Sequence, residues 1–452
     1  MTERLVVIGG DAAGMSAASQ ARRRRGPEDL EIVAYERSSW VSYSACGEPY
    51  HVAGQVDPLE RLVARTPEQF AARDISVATH HEVTAIDTDS RTVTVRRLDD
   101  ATLFDDHYDQ LLIATGARAV RPDITGTELP GVHELRTLDD AAALRAISDG
   151  EPGRVVIVGG GYIGLETAEA FKLRGWDVTV VSAHPGVLER VLDTDMSRWV
   201  ADAMGDAGIE VITGTRVECL AGLSRVEAVE AGDRHLPADL VVLGLGSRPE
   251  SDLAQAAGIP LGPTGAIAVD RRQRTSIDGV WAAGDCAEAA HRLTGRPTNF
   301  HLGTIANKTG RVAGMNLGGD HAEFPGTLGS AITRVCDVEV SAVGFRLQEA
   351  IAEGFDAVEG TAEGTTTAGY MPDARPMTIR AVAERGSGRL LGAQLVGGPG
   401  TGKRVDVFAT AIWNGMTARE LEWTDLSYAP PFSGTWDLIA IAAREAARAA
   451  SS

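Results

Sequence analysis

Two glycine-rich turns constrain the fold of this chain more than any other feature of its sequence. Each turn follows a short apolar strand and precedes a helix-forming stretch: residues 4–8 lead into Gly9–Gly14, and residues 155–158 lead into Gly159–Gly164. In that setting the turn and the helix N-terminus cradle a pyrophosphate. The second turn has the full GxGxxG spacing, and two copies strengthen a motif that is weak alone. The sequence therefore predicts two Rossmann-like units, for two dinucleotides or for a cofactor and a co-substrate.

The strand after each turn ends in a residue that is expected to face a ribose. In the first unit the strand at residues 30–35 ends at Glu36, and a carboxylate suits ribose hydroxyls. In the second unit the corresponding residue is Ser182. An acid there would repel a 2′-phosphate, so serine predicts that NADPH is at least tolerated beside NADH, with His184 and Arg190 nearby.

A lone cysteine, Cys46, follows the first unit within residues 40–50 and precedes Gly47 and Pro49. If a helix starts at this point, its dipole would lower the pKa of the thiol and favour the thiolate. Cys46 would then be a redox thiol beside a dinucleotide. A buried, inert cysteine is the alternative, and position alone does not decide between them.

Composition and charge exclude several classes of protein. A chain of 452 residues predicts two or three domains, and a net charge of -20 argues against a nucleic-acid partner. No apolar run reaches ~18 residues, so no membrane span is expected. The N-terminus has no signal-peptide pattern. Four scattered cysteines without a CxxC pair predict neither a metal site nor a dithiol, and they fit the reducing cytoplasm.

Other strand ends and one arginine run bear on ligands. Several later strands end in small or acidic residues, which let a cofactor approach the backbone closely. These strand ends are Ala114-Thr115-Gly116, Gly246 and Gly284-Asp285. Four arginines at positions 22–25 are interpreted as cations that favour a helix C-terminus, with a substrate phosphate patch as the alternative. From residue 326 onward, strands and helices alternate without a phosphate loop, which predicts a third, α+β domain.

Together these motifs resemble those of flavin-dependent pyridine nucleotide-disulfide oxidoreductases. The likeness is strongest to the single-cysteine branch of coenzyme A-disulfide reductases, NAD(P)H polysulfide reductases and NADH oxidases, and it covers nearly the whole chain. It is carried by the Gly9–Gly14 turn with Glu36, by Ser42 and Cys46, by Ala114–Gly116, by Gly159–Gly164, by residues 275–285 and by Tyr428-Ala429-Pro430-Pro431-Phe432.

The resemblance implies an α/β chain with two Rossmann-like dinucleotide-binding domains of the glutathione reductase type and a C-terminal α+β dimerisation domain. Residues 1–117 are expected to form the first part of an FAD-binding domain, and residues 118–245 an NAD(P)H-binding domain. Residues 246–325 would complete the FAD-binding domain. Residues 326–452 would be the dimerisation domain, through which two copies of the chain form a homodimer.

The resemblance also implies which residues bind each cofactor. Those expected to bind FAD are Gly9, Gly10, Ala13, Gly14, Glu36, Ala114, Thr115, Gly116, Gly284 and Asp285. Those expected to bind NADH or NADPH are Gly159, Gly161, Tyr162, Ile163, Gly164, Glu166 and Ser182, with Gly246 also facing a cofactor. In this likeness Tyr162 gates the nicotinamide pocket and Glu166 steadies the carboxamide.

Catalysis is expected from Cys46, Ser42 and Tyr428, with Tyr428 lent to the active site of the partner subunit. Cys46 would hold a small thiol as a mixed disulfide, and its thiolate, once released, would attack the next disulfide. The positions that match contacts of the thiol substrate, with coenzyme A as a candidate bound thiol, are Ser16, Gln20, Arg23, Ser42 and Asn307.

Four positions depart from the family pattern, and one of them is Ser182, described above. Ala12 replaces a histidine that faces the cysteine in the oxidase branch, which weakens the oxidase hypothesis. Ala45 replaces an asparagine, and Trp436 replaces a lysine that can meet a phosphate, which places coenzyme A itself in doubt.

Three hypotheses follow. The leading one is an FAD enzyme that uses NAD(P)H to reduce a low-molecular-weight disulfide or polysulfide through Cys46. The second is an NAD(P)H oxidase that reduces oxygen. The third is a non-enzymatic flavoprotein that senses the nicotinamide redox state.

Overall fold

The computed structural model describes residues 2–452, which form three α/β parts. The strands of the first part are β1 (Glu3–Ile8), β2 (Leu30–Tyr35), β3 (Ser76–Ala78), β4 (His81–Asp87), β5 (Thr92–Arg97), β6 (Leu103–His107), β7 (Gln110–Ile113) and β8 (Ala117–Ala119). Its helices are α1 (Ala12–Arg22), α2 (Glu48–Val52) and α3 (Pro67–Ala71).

The second part contains the other glycine-rich turn. Its strands are β9 (Val132–Glu134), β10 (Arg154–Val158), β11 (Asp177–Val181), β12 (Glu210–Ile212), β13 (Val217–Ala221), β14 (Ala228–Ala231), β15 (Arg234–Pro237) and β16 (Leu240–Leu243). Its helices are α4 (Leu138–Ser148), α5 (Tyr162–Leu173) and α6 (Thr194–Asp206). The next elements, β17 (Ser247–Pro249) and α7 (Asp252–Ala256), already belong to the first part, where β17 pairs with β8 and α7 packs on β4.

The remaining elements return to the first part and then build the third. The strands are β18 (Val280–Ala282), β19 (Ala289–Ala290), β20 (Pro297–Thr298), β21 (Ala331–Val335), β22 (Val338–Gly344), β23 (Ala357–Thr365), β24 (Pro376–Glu384) and β25 (Leu390–Gly397). The helices are α8 (Gly303–Leu317), α9 (Leu347–Ala352), α10 (Val405–Trp413), α11 (Ala418–Glu422) and α12 (Leu438–Ala450).

A five-stranded parallel sheet of order β18-β7-β1-β2-β3 forms the centre of the first part. Its strands are near-continuous apolar runs because both faces are covered, and Leu5, Val6 and Val7 of β1 have no exposed surface. Since β18 comes late in the chain and pairs with β7, two separated stretches of sequence build this one sheet.

A second five-stranded sheet of order β12-β11-β10-β16-β9 carries the other glycine-rich turn. All of its pairings are parallel. The buried faces of β10 and β11 pack against α5 and α6 in one core, which includes Phe171, Trp176 and Met196. Its carboxyl edge therefore repeats the arrangement of the first sheet.

The third part is an antiparallel sheet of order β21-β22-β25-β24-β23 with helices packed against it. Helix α12 lies on β23 and β24, and α10 lies on β25. The small residues of α12 and the apolar residues of β24 and β25 share one core. Two parallel sheets followed by an α+β part confirm the predicted fold class.

Helices α1 and α8 pack unusually close together, and this contact positions part of the site described below. A Cβ atom at Gly310 would overlap the carbonyl oxygen of Ala13, and one at Gly314 would overlap that of Ala17. Because glycine has no Cβ, the backbone of α8 can approach that of α1 directly.

Candidate functional site

The residues expected to hold FAD meet at one edge of the first sheet. Gly9 follows β1, Glu36 follows β2, Ala114 follows β7 and Asp285 lies just beyond β18. Because these strands are parallel, their carboxyl ends lie side by side, where open α/β sheets bind ligands. The structure thus brings together residues that are as far apart as 276 positions in sequence.

The backbone at this edge leaves no room for side chains. Gly9 has a φ of +108°, and a Cβ there would overlap the carbonyl oxygen of Ala114. A Cβ at Gly14 would overlap the carbonyl oxygen of Gly9. Gly284 also has a positive φ, of +83°, and its Cβ would press on the Cβ of Ala13. Such a bare turn lets a pyrophosphate approach the N-terminus of α1, so these residues fit a dinucleotide.

Two carboxylates flank this cradle. Glu36 accepts hydrogen bonds from the backbone N–H groups of Gly10 and Ser38, both at 2.8 Å, and keeps acceptor capacity for ribose hydroxyls. Asp285 is mostly buried and accepts a hydrogen bond of 3.3 Å from Arg136. After β7, Thr115 donates a hydrogen bond of 2.5 Å to the carbonyl of Glu250, and Gly116 has a φ of +75°.

The second cradle repeats these features with a more open turn. A Cβ at Gly159 would overlap the carbonyl oxygen of Gly244, and one at Gly164 would overlap that of Gly159. Gly161 is exposed and has open space where a Cβ would be, as a backbone that receives a ligand requires. Gly246, which follows β16, has a φ of +87°, and Ile163 is exposed at the first turn of α5.

Cys46 is exposed and lies in a short 3₁₀ turn, Ala45–Gly47, directly before α2. The turn packs closely on its surroundings, because a Cβ at Gly47 would overlap the side chain of Leu62. The alternative of a buried cysteine describes Cys286, which is fully buried, and not Cys46.

The prediction that a helix dipole lowers the pKa of Cys46 is wrong. Loss of water around the thiol raises the pKa of Cys46, and the carboxyl groups of Glu166 and Glu48 raise it further. Helix α2 has only five residues and begins after the cysteine, at Glu48, so it offers little dipole to oppose these effects.

The first glycine-rich turn is tied to the cysteine loop. Ser42 adopts a φ of +48° and donates its backbone N–H to the carbonyl of Gly10 at 2.9 Å. The next N–H, of Tyr43, is donated to the carboxylate of Asp11 at 3.0 Å. These two bonds hold the loop that carries Cys46 against the first cradle.

Helix α5 and strand β21 build a cleft on the other side of α2. Its lining includes Tyr50, Glu166, Glu169 and Arg334. Glu166 accepts a hydrogen bond of 2.6 Å from Thr333, and burial raises the pKa of Glu166.

Tyr162 begins α5 beside Glu166. Its hydroxyl is buried and has no hydrogen-bond partner within residues 2–452. Burial raises the pKa of Tyr162, and the charge of Glu166 adds to the shift. A polar atom that is buried without a partner here fits a residue that packs against a ligand.

Of the residues expected to meet a thiol substrate, Ser16 and Gln20 lie one turn apart on α1, and Arg23 directly follows its last residue. The hydroxyl of Ser16 donates a hydrogen bond of 2.9 Å to Asn307 of α8, so the close packing of the two helices joins two predicted substrate residues. Gln20 is buried and accepts a hydrogen bond of 2.8 Å from Arg24, whereas Arg23 is exposed.

The arginine run is mostly engaged within the chain. Arg24 pairs with Asp320, Arg25 pairs with Glu3, and Arg22 donates to backbone carbonyls. Arg23 forms no ion pair within the described part of the chain, and it is the arginine most open to a ligand.

Tyr428 lies far along the chain in an exposed group of aromatic side chains, here called the aromatic surface. Its members are Tyr370, Trp423, Tyr428, Phe432 and Trp436. Trp423 and Trp436 meet edge to face with ring centroids 6.0 Å apart. Exposed apolar groups of this size are typical of a surface that another chain covers.

Sequence reasoning missed three residues of the site. Glu48 and Arg136 lie near Cys46 and Asp285, and His301 forms a hydrogen bond of 2.5 Å with Ser247 and one of 2.6 Å with Asn299. For Glu48 the only signal in the sequence was its place between Gly47 and a proline. No local pattern indicates Arg136 or His301.

Within residues 2–452, the helices are all too short or too polar to cross a bilayer.

Comparison with known proteins gives the same picture. Residues 3–308 match the family model described as "Pyridine nucleotide-disulphide oxidoreductase", and residues 330–439 match the model of that family's dimerisation domain. The chain is similar to an NADH oxidase of Methanocaldococcus jannaschii, with 35% identity and 98% of each chain covered. It is also similar to a CoA-dependent NAD(P)H sulfur oxidoreductase of Pyrococcus furiosus, with 36% identity and 98% of each chain covered.

A solved structure agrees. The NAD-dependent persulfide reductase of A. fulgidus superposes with a TM-score of 0.93 at 37% identity, covering 98% of this chain and 82% of that one. The hypothesis of a non-enzymatic flavoprotein is therefore wrong, since the family and these relatives are oxidoreductases. The chain belongs to the pyridine nucleotide-disulphide oxidoreductase family, whose members use FAD and NAD(P)H.

Proposed function

We propose that this enzyme uses NAD(P)H to reduce a low-molecular-weight disulfide or polysulfide through Cys46. The observation that carries the proposal is the position of Cys46: it is exposed, and its loop is hydrogen-bonded to the first cradle through Ser42 and Tyr43. A sulfur held there is open to a substrate from outside and adjacent to the place where the fold receives its flavin.

The chemistry of Cys46 then follows from thiol exchange. The Cys46 thiolate attacks one sulfur of the substrate disulfide, which forms a mixed disulfide and releases the first thiolate to be protonated by water. Two electrons reduce the mixed disulfide, which regenerates the Cys46 thiolate and frees the second thiol. FAD, when bound, would supply the transfer of these two electrons from NAD(P)H. Two electrons and two protons thus convert one disulfide into two thiols.

The same proposal assigns the two cradles. Gly9–Gly14, Glu36, Ala114–Gly116 and Asp285 would hold FAD, and the second turn with Tyr162, Glu166 and Ser182 would hold NAD(P)H. The domain boundaries at residues 117, 245 and 325 are part of the proposal, supported by the pairing of β18 with β7 and by the separate antiparallel sheet after residue 330.

Coenzyme A is a candidate thiol. Two observations favour it: the P. furiosus relative is named as CoA-dependent, and the predicted substrate residues Ser16 and Asn307 are hydrogen-bonded to each other. Trp436 weakens this assignment, because an indole in contact with Trp423 stands where a lysine would meet a phosphate.

Replacing Cys46 by serine tests the proposal. Cys46→Ser should keep FAD and abolish NAD(P)H-dependent disulfide reduction, whereas Cys219→Ser, which alters a partly buried thiol elsewhere, should retain the rate. Release of free thiols from coenzyme A disulfide, other small disulfides and polysulfide is the measurement. Disulfide reduction by Cys46→Ser at the parental rate would show that Cys46 is not the relay.

A homodimer in which Tyr428 serves the partner subunit is the second element of the proposal. The exposed phenol of Tyr428 on the aromatic surface supports it, since a phenol can donate a hydrogen bond to a leaving thiolate. Mixed dimers of Cys46→Ser and Tyr428→Phe chains would contain one intact site if Tyr428 acts across the interface. They should regain up to half of the parental rate, and no gain over the separate variants would place Tyr428 in the same subunit or outside the mechanism.

Oxygen reduction is a second candidate function, favoured by the similarity to the M. jannaschii NADH oxidase. Ala12 offers no imidazole to an oxidised Cys46, so we expect oxygen to be the slower acceptor. Oxygen uptake measured beside disulfide reduction with the same NAD(P)H supply discriminates between the two.

A further inference from the structure

The chain crosses between the first and second parts at two strands that lie side by side. It leaves the first part after β8 and returns after β16 at β17, which pairs antiparallel with β8. Gly246, at the point of return, has a φ of +87° and open space where a Cβ would lie. What fixes this pair of strands therefore helps to set the orientation of the second cradle relative to the first.

His301 ties the returning strand to the loop that carries Asp285. Its Nδ1 atom lies 2.5 Å from the hydroxyl oxygen of Ser247, the first residue of β17, and its Nε2 atom lies 2.6 Å from Oδ1 of Asn299. The side-chain amide of Asn299 donates in turn to the backbone carbonyls of Asp285 at 3.0 Å and of Ala287 at 2.9 Å. A continuous series of hydrogen bonds thus joins β17 to the edge of the first cradle.

The two backbone carbonyls determine the direction of every bond in this series. Carbonyl oxygens only accept, so the atom of Asn299 that faces both of them is its nitrogen, and Oδ1 must accept from the ring. Nε2 of His301 therefore carries the proton. In the neutral ring Nδ1 is then an acceptor, and it receives the hydroxyl proton of Ser247. Burial lowers the pKa of His301, which favours this neutral form.

The departing strand is tied to the same loop by Arg136, just before α4. Its guanidinium donates to the carbonyl of Ala117, in β8, at 3.0 Å and to the carboxylate of Asp285 at 3.3 Å. Both strands of the crossing are thus held beside the residue proposed to bind FAD. The tie through His301 consists of neutral groups, so it can be removed without leaving an unpaired charge at Asp285.

We propose that His301 is a positioning residue for reduction of the flavin: by tying β17 to the Asp285 loop, it holds the second cradle where bound NAD(P)H meets the flavin. The inference rests on the proposed function only in assigning FAD to the first cradle and NAD(P)H to the second. The step is transfer of a hydride from NAD(P)H to the flavin, which oxidises NAD(P)H to NAD(P)+ and reduces the flavin by two electrons. The reacting atoms must approach to ~3–3.5 Å, and a displacement of ~1 Å can lower the rate on the order of 100-fold.

Two variants weaken the tie to different extents. His301→Leu removes both hydrogen bonds of the ring, and Ser247→Ala removes only the bond to β17. His321→Leu is the matched control, because His321 is an exposed histidine beyond the end of α8.

Two measurements are made on each FAD-loaded protein. Rapid mixing with increasing NAD(P)H without oxygen, followed by flavin absorbance, gives the limiting rate of flavin reduction and the apparent Kd of NAD(P)H. Hydrogen exchange of the peptide that spans residues 244–252, measured by mass spectrometry without NAD(P)H, reports how firmly β17 is held.

We expect the limiting rate of flavin reduction to fall by roughly fivefold or more in His301→Leu and by about twofold or more in Ser247→Ala. The apparent Kd of NAD(P)H should stay within about twofold of the parent, and exchange of residues 244–252 should be roughly threefold faster or more in both variants. His321→Leu should match the parent in all three quantities. A merely stabilising role for His301 would lower the temperature of unfolding and leave the limiting rate unchanged.

Three results would each overturn the inference. They are a parental limiting rate in both variants, parental exchange of residues 244–252 in both variants, and a raised apparent Kd at the parental limiting rate, which would make His301 a residue of NAD(P)H binding. If His301→Leu fails to retain FAD, Ser247→Ala decides by the same criteria.

Failure of the proposed function gives a different result, because flavin reduction is measured before any disulfide is added. Disulfide reduction by Cys46→Ser at the parental rate would overturn the role of Cys46 and leave that of His301 intact. If Cys46→Ser is inactive and both tie variants reduce the flavin at the parental rate, the proposed function stands and the role of His301 does not. A parental protein whose flavin is not reduced by NAD(P)H would overturn both.

Discussion

The end of β11 carries Ser182, a buried serine whose hydroxyl is hydrogen-bonded within its own loop. It is 2% exposed, and its hydroxyl donates to the carbonyl of Gly186 at 3.1 Å and accepts from the N–H of His184 at 3.3 Å. These bonds close the loop after β11. His184 is exposed, with its Nδ1 atom 3.7 Å from a carboxylate oxygen of Glu189, and Arg190 of the same loop is exposed, so this loop offers an arginine to a ribose phosphate.

Ser182→Glu should shift the ratio of kcat/KM toward NADH by roughly tenfold or more, which corresponds to ~1.4 kcal/mol. The new carboxylate would leave the loop, accept bonds from ribose hydroxyls and repel the phosphate of NADPH. Steady-state kinetics with both cofactors measure the ratio. Ser182→Ala, which loses the same loop bonds without adding charge, is the control, and an equal shift in both variants would assign the effect to the loop.

Glu48 predicts a dependence of stability on pH. Because burial raises the pKa of Glu48 to about 8 in the folded chain and the pKa lies near 4.5 when unfolded, only the folded chain holds this proton between those values. The contribution of Glu48 to the free energy of unfolding is therefore full below about pH 4.5 and is lost as pH rises to about 8.

Relative to Glu48→Gln, the parent should lose a few kcal/mol between pH 5 and pH 9, since each unit of pKa shift is worth ~1.4 kcal/mol. Urea unfolding at several pH values measures the difference. Parallel pH profiles for the parent and Glu48→Gln would contradict the prediction, and Glu60→Gln, which alters an exposed acid on the neighbouring turn, should follow the parent.

At the scale of elements, the contact of α1 with α8 joins two ends of the sequence around the first cradle. Gly310 and Gly314 let α8 lie directly on the backbone of α1, at Ala13 and Ala17. The same contact brings Ser16 to Asn307. The substrate face proposed on α1 therefore depends on glycines that contact no substrate.

Gly310→Ala should destabilise the protein by about 1–3 kcal/mol and weaken retention of FAD, because the added methyl group would push α1 and the first turn aside. Gly205→Ala is the matched control. Gly205 lies in α6 with open space at its Cβ position, so alanine there should be neutral or stabilising by up to about 1 kcal/mol. Thermal unfolding and flavin absorbance of the purified proteins provide both measurements, and equal stability of the two variants would refute the argument from packing.

At the scale of the whole molecule, the aromatic surface is the region where a single chain leaves large aromatic side chains exposed to water. Phe432 is 72% exposed and Tyr428 is 47% exposed, although both are large apolar side chains. They belong to the region that matches the family's dimerisation domain, which spans residues 330–439. Covering this surface with a second chain would bury the aromatic rings and fix the position of Tyr428.

Phe432→Asp should weaken the proposed homodimer by at least tenfold in dissociation constant and lower the rate of disulfide reduction in parallel. A charge in a buried interface is costly, and separated subunits would lose Tyr428 of the other chain. Sedimentation at several concentrations measures the association. Leu223→Asp alters a residue that is 95% exposed on the second part, so its association should match the parent.

Local features of the sequence were enough to predict the fold class and the two cradles. Gly9–Gly14, Gly159–Gly164, Glu36 and Ser182 each act through their own strand and turn, and parallel strands bring their ends to one edge without further information. The fold class is confirmed, and the roles of the cradle residues stay predictions. The character of Cys46 as an exposed thiol was one of two open alternatives until its surroundings were known.

Only the tertiary structure decided the electrostatics of the site. The pKa of Cys46 is raised, against the sequence-based prediction, because it depends on water excluded by distant segments and on Glu166, which lies 120 positions away. Glu48 became visible only through its burial, and Arg136 through its contact with Asp285. Charge and burial are sums over neighbours in space, and a sequence shows only neighbours along the chain.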